Sequence, residues 1–127
     1  MSFQFRKHYT VAEARALLPK VRKWLEKLSE LRGELADREK KIAPLFEQGF
    51  DTGGPLINSW LKTLLKIKEL LDEFETRQIQ IKDLDRGLLD FPAVRDGKEV
   101  FLCWEQSEDD IGFWHDIEAG YAGREPL

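Results

Sequence analysis

Apolar residues early in the chain fall on one helical face. Leu18, Val21, Leu25 and Leu28 recur at alternating spacings of three and four. Leu35 and Ile42 extend the series past a break at Arg32, out to about residue 48. Such spacing predicts an amphipathic helix. A shorter stripe of Val11, Ala14, Leu17 and Leu18 opens it. Thr10 reads as its N-cap, and Glu13 is placed to return a bond to the Thr10 amide. Pro19 has no N–H and crowds the preceding turn, so a kink or restart is expected there. Gly33 and Pro44 weaken the pattern locally. Before the cap, Phe3 and Phe5 alternate with polar residues and suggest a short extended start.

"GFDTGGP", residues 49–55, predicts a loop, and Pro55 suits the first turn of a second helix. There Ile57, Trp60, Leu64, Ile67, Leu71 and Phe74 hold heptad spacing, with Ile81 beyond. Two helices of roughly 25 residues or more, ~40 Å long at 1.5 Å per residue, would form an antiparallel hairpin over residues 10–78. Leu17, Trp24, Leu31, Leu56, Leu61, Leu65 and Leu70 lie off the seam. Their surplus apolar surface calls for cover, from the C-terminal module or from a second copy of the chain.

After Phe74 the period shifts to alternation. Strands are expected at 79–82, 88–95, 98–104 and 111–115, with Pro92 favouring an edge or bulge. Asp96–Gly97 reads as a two-residue hairpin turn. That turn pairs Arg95 with Lys98 and, counting outward, Asp90 with Cys103. Leu89, Phe91, Ala93, Val100, Leu102 and Trp104 then make one apolar face, expected to pack on the helices. Leu88, Asp90, Pro92, Glu99, Phe101, Cys103 and Glu105 make a mixed face, the better place for chemistry. The class is α+β: one domain, 1–127, with a helical hairpin, an antiparallel meander of three to four strands at 79–115, and a tail at 116–127.

Composition narrows the function. The chain has 127 residues and one cysteine, Cys103, which argues against an intrachain disulfide framework or a cysteine-based zinc site and fits a reducing cytoplasm. No apolar run reaches the roughly 20 residues of a membrane span, and the start lacks a secretory apolar core. Formal charge is +3 over residues 1–54, zero over 55–81 and −7 over 82–127. The acidic C-terminal part argues against nucleic acid. The basic residues of the first helix alternate with acidic ones, as on a salt-bridged solvent face.

His115 is the residue to place. If Trp104 pairs with Ile111, His115 joins Val100 on the apolar face; this register is favoured because it buries Phe113 together with Ile111. A slip of one residue instead puts His115 beside Phe101 on the mixed face, near Asp90 and Cys103. His115, Asp90 and Glu105 could then form a two-carboxylate, one-histidine site for a divalent cation. Cys103 with His115 as base is a candidate nucleophile, although its setting suits a small buried hydrophobe. Asp83, Asp85 and Arg86 lack the ligand ladder of a calcium loop.

Four segments occur in order: "YTVAEARALLP", "IKDLDRGLLDFPA", "GKEVFLCW" and "FWHDIEAGYAGREPL". Together they resemble a prokaryotic family known as domain of unknown function 2203, over essentially the whole chain. Tyr9 stands where the family has Phe, and Asp85 where it tends to have Glu. The resemblance implies that Asp83, Arg86, Gly87, Asp90, Cys103, Trp104, Trp114, His115, Gly120 and Arg124 fall on motif positions. It implies no activity or cofactor, and it directs attention to the C-terminal module.

Two functional expectations follow. The first is a non-enzymatic, cytoplasmic protein that self-associates as a homodimer through its hairpin, in the manner of a coiled coil, or binds another protein, with no nucleic-acid or membrane partner and no cofactor. The second is a small enzyme or ligand- or metal-binding protein with a polar pocket around His115. Asp90 and Asp116 would be its carboxylates, and Arg86 and Arg124 its anion clamps.

Overall fold

The computed structural model describes residues 3–47, 49 and 54–127; most of the expected 49–55 loop lies outside them. The element order is α1 (Val11–Glu47), α2 (Pro55–Thr76), β1 (Gln80–Asp83), β2 (Leu88–Arg95), β3 (Lys98–Glu105), β4 (Phe113–Asp116), a 3-10 turn (Tyr121–Gly123) and β5 (Glu125–Pro126). The fold is α+β, with a five-stranded antiparallel sheet in the order β1-β2-β3-β4-β5. The fifth strand comes from the tail, where two residues pair with Phe113 and Trp114. So short a strand leaves no alternating pattern to read.

The chain forms two compact units, one of Met1–Lys23 with Glu73–Leu127 and the other of Trp24–Asp72. In the second, α1 and α2 make the hairpin. Arg38 Nε donates to Ser59 Oγ at 2.7 Å, and Trp60 Nε1 to Glu39 at 3.3 Å, bonds that tie the two helices together near the connecting loop. Leu25, Leu28, Leu31, Ile42, Thr63 and Ile67 are buried. Leu31 thus belongs to the seam, whereas Leu64 turns outward and Thr63 takes an inward position. Thr63 is accommodated because its hydroxyl donates to the Ser59 carbonyl one turn back.

The first unit holds the sheet. The capping box forms as read: the Thr10 amide donates to Glu13 Oε1 at 2.9 Å, and the Glu13 amide to Thr10 Oγ1 at 3.0 Å. From that cap α1 continues through Pro19 as one helix, without a restart. The β2–β3 hairpin has the expected register, Arg95↔Lys98 through Leu88↔Glu105. Asp96 and Gly97 both take positive φ, as a turn matched to strand twist requires. The apolar face meets α1 and the segment before it: Arg22 lies over the Trp104 ring at 4.9 Å, and Tyr9 packs edge-on against Phe91.

The favoured register of the last strand is not the one formed. Val100 pairs with Asp116, Phe101 with His115, Leu102 with Trp114 and Cys103 with Phe113, so His115 stands on the mixed face. Ile111 is fully buried without pairing to Trp104. It is held in the preceding loop, where Arg15 donates to its carbonyl and the Asp110 side chain accepts from its amide. Arg22 donates to the carbonyls of Gln106, Glu108 and Asp109 and shapes the same loop. Burial of Ile111 therefore places no demand on strand register. Phe113 finds its cover elsewhere, under the Arg124 guanidinium at 3.9 Å.

Candidate functional site

The mixed face brings three chemically distinct side chains together. Asp90 and Cys103 are direct cross-strand partners on β2 and β3, and His115 projects from β4 two positions along. All three are buried, Cys103 with 0% exposure and Asp90 and His115 with 2% each. One ligand atom from each residue lies within 4.8 Å of the others.

His115 is held at both nitrogens. Nδ1 donates to the Asp116 carbonyl at 2.7 Å, and Nε2 lies 3.0 Å from Asp90 Oδ1. A carbonyl can only accept, so Nδ1 carries a hydrogen and Nε2 is the nitrogen that exchanges a proton or ligand with Asp90. The Phe101 ring packs against the imidazole with centroids 5.5 Å apart, and Phe5 packs on Phe101 at 5.4 Å.

Burial raises the pKa of Asp90 above the ordinary carboxylate value; His115 and Lys82 oppose this without cancelling it. Burial also pushes the Cys103 thiol up to about 12, and the Asp90 charge adds to the rise. Arg124 pulls in the other direction and is outweighed. In the metal-free protein Cys103 is therefore a thiol at neutral pH, and neither imidazole nitrogen is free to deprotonate it. A Cys103–His115 nucleophile pair is not what this geometry builds.

The other sequence candidates occupy different places. Glu105 shares the face but ends the strand, where Arg86 and the Ser107 hydroxyl donate to it; its place beside Asp90 and His115 is taken by Cys103. Asp116 serves through its backbone carbonyl, while its carboxylate pairs with Lys98 on the surface at 3.1 Å. Arg86 and Arg124 converge on the Tyr121 ring, at 4.4 and 4.3 Å. Each is already matched by a carboxylate, Glu105 for Arg86 and Glu108 for Arg124, so their charge is largely spent within the fold. The cation pairs of Arg124 with Glu108 and its stacking on Phe113 explain how a glycine-punctuated tail is held down.

A cavity of about 240 Å³ opens beside the three residues, lined also by Lys82, Leu88, Ile117, Glu118 and Tyr121. Sequence reasoning missed Glu99, whose carboxylate accepts from the amides of Gln4 and Phe5 and lies 2.7 Å from His8 Nε2. It pins the opening segment across the sheet. Nothing local signals this, because the partners are more than 90 residues apart.

Among the described residues no helix is long and apolar enough to cross a membrane. A family model described as an uncharacterized conserved protein (DUF2203) matches residues 7–127. No curated protein and no solved structure matches the chain.

Proposed function

Since the chain belongs to the DUF2203 family, which brings no activity with it, we propose from its own surfaces that it is a cytoplasmic homodimer joined through its hairpin unit. The observation that carries this reading is an uncovered apolar face on α2. Leu61, Leu64 and Leu65 are 42%, 38% and 58% exposed, and their i, i+3, i+4 spacing sets them side by side. Exposed leucines clustered in this way mark association surfaces.

A second copy fits as the occupant because the leucine patch is self-complementary. Antiparallel packing about a two-fold axis through the middle of residues 61–65 sets Leu61 of each copy against Leu65 of the other, the arrangement of an isologous interface. Two hairpins joined so would form a four-helix layer of coiled-coil type. A single buried cysteine suits the reducing compartment this reading assigns.

Light scattering on the purified chain at micromolar concentration tests it. The expected mass is twice 14.8 kDa, falling to the monomer value in a Leu61→Glu/Leu65→Glu variant of unchanged helix content. A wild-type monomer throughout would sink the reading.

A further inference from the structure

We propose that Asp90, Cys103 and His115 form a binding site for one divalent transition-metal ion, with Zn²⁺ the best match. The site lies wholly within the sheet-bearing unit and does not depend on self-association.

The donor set comes first. A carboxylate oxygen, a thiolate sulfur and an imidazole nitrogen are the three ligand types zinc accepts. Two anionic ligands, the Asp90 carboxylate and a Cys103 thiolate formed as the incoming ion displaces the thiol proton to solvent, would balance the ion's charge in a buried site. The sulfur selects against Mg²⁺ and Ca²⁺, which take oxygen. The two-carboxylate set that the sequence suggested, with Glu105, would have favoured iron or manganese; replacing Glu105 by Cys103 shifts the preference toward zinc.

The geometry comes second. In a tetrahedral zinc site, ligand atoms lie about 3.3–3.6 Å apart, given bonds of roughly 2.0–2.3 Å. Here Asp90 Oδ1 and His115 Nε2 are 3.0 Å apart, and all three donor atoms lie within 4.8 Å of one another. Small side-chain rotations on a paired sheet close the difference. The three residues come from three adjacent strands, so the frame that holds them is rigid.

The imidazole supplies the third argument. Metal-bound histidines characteristically donate their other ring N–H to a carbonyl or carboxylate, which fixes the tautomer and aims the lone pair. The Asp116 carbonyl does this for His115 Nδ1, leaving Nε2 directed toward Asp90. Three protein ligands leave a fourth position, and the cavity beside them has room for a water molecule or small anion there.

The 127-residue chain, stripped with a chelator, is to be titrated with Zn²⁺ against a chromophoric competitor and separately with Co²⁺. The expected result is one ion per chain, with a thiolate-to-cobalt absorption band. Cys103→Ala should abolish that band and weaken Zn²⁺ at least tenfold. Asp90→Asn should weaken it to a similar degree, with circular dichroism confirming that both variants fold. Absence of stoichiometric binding, or binding unchanged in both variants, would overturn the proposal. The Leu61→Glu/Leu65→Glu variant should bind Zn²⁺ like wild type, so the site and the dimer stand or fall separately.

Discussion

Asp90 and His115 meet across an intervening strand. Their side chains reach from β2 and β4 over β3 to lie 3.0 Å apart, 25 residues distant in sequence and almost wholly out of solvent. Truncating His115 removes one partner from each of two acceptors, the Asp90 carboxylate, which keeps the Cys103 thiol, and the Asp116 carbonyl, which keeps the Ala119 amide. His115→Ala should cost about 2–4 kcal/mol, from the two buried hydrogen bonds lost and the cavity left behind. A drop in the urea midpoint at unchanged slope would report it; a midpoint within error of wild type would show that the pair is not formed.

Asp90→Asn should behave in the opposite way in metal-free protein. The folded-state pKa of Asp90 is raised, chiefly by burial. Its favourable contribution is therefore complete below the ordinary carboxylate pKa and is lost as pH rises through the folded value. At neutral pH the ionised form is a cost that Asn removes, while the Asn amide can donate to His115 Nε2. Stability at pH 7 should be unchanged or higher by about 1 kcal/mol, and the variant's advantage should vanish in acid. Thermal melts at pH 7 and pH 4 check both.

Glu99 gives a pH dependence of the other sign. Burial works to raise its pKa, but His8 and the amides of Gln4 and Phe5 outweigh it and leave the pKa lowered. The contribution of Glu99 is then present above the ordinary carboxylate value and lost as pH falls through the lower folded value. The opening segment should loosen as pH falls through that lowered value, seen as faster exchange of the Gln4 and Phe5 amides. Glu99→Ala should release it at neutral pH, at a cost of about 1–3 kcal/mol. Amide exchange that ignores both changes would show that the segment is held by its other contacts, the Gln78 side chain that accepts from the Arg6 and Lys7 amides among them.

Arg124 should matter to the tail more than Arg86. Its guanidinium is sandwiched by Phe113 and Tyr121 and paired with a half-buried Glu108. Arg124→Ala should cost about 1–3 kcal/mol and free β5. Arg124→Lys should recover only part, because an ammonium cannot stack in the same way. Arg86, on an exposed pair, should leave the melting temperature within error when replaced by Ala. Equal effects for the two arginines would contradict this ranking.

Local signals carried much of the fold. Thr10 and Glu13 sit three apart and cap a helix; Asp96–Gly97 sets eight cross-strand pairs in register. The face holding Asp90 and Cys103 follows by counting from that turn. The register of β4 did not follow, because residues 106–112 carry no two-residue turn signal that would set it and their shape depends on Arg15 and Arg22 reaching in from α1. The sequence therefore showed that His115 had two possible neighbourhoods, and long-range side-chain bonds selected one. Leu31 and Leu64 exchanged roles for a related reason: heptad counting ignores the outlet Thr63 finds in its own helix backbone.

Nitrogen NMR of the His115 ring, in metal-free and Zn²⁺-loaded protein, tests the proposed site at its defining atom. Nδ1 should remain protonated in both states, held by the Asp116 carbonyl, while the Nε2 resonance moves to the metal-bound range at one equivalent of Zn²⁺. An unmoved Nε2 at saturation, or a proton lost from Nδ1 instead, would contradict the assignment of Nε2 as the ligand.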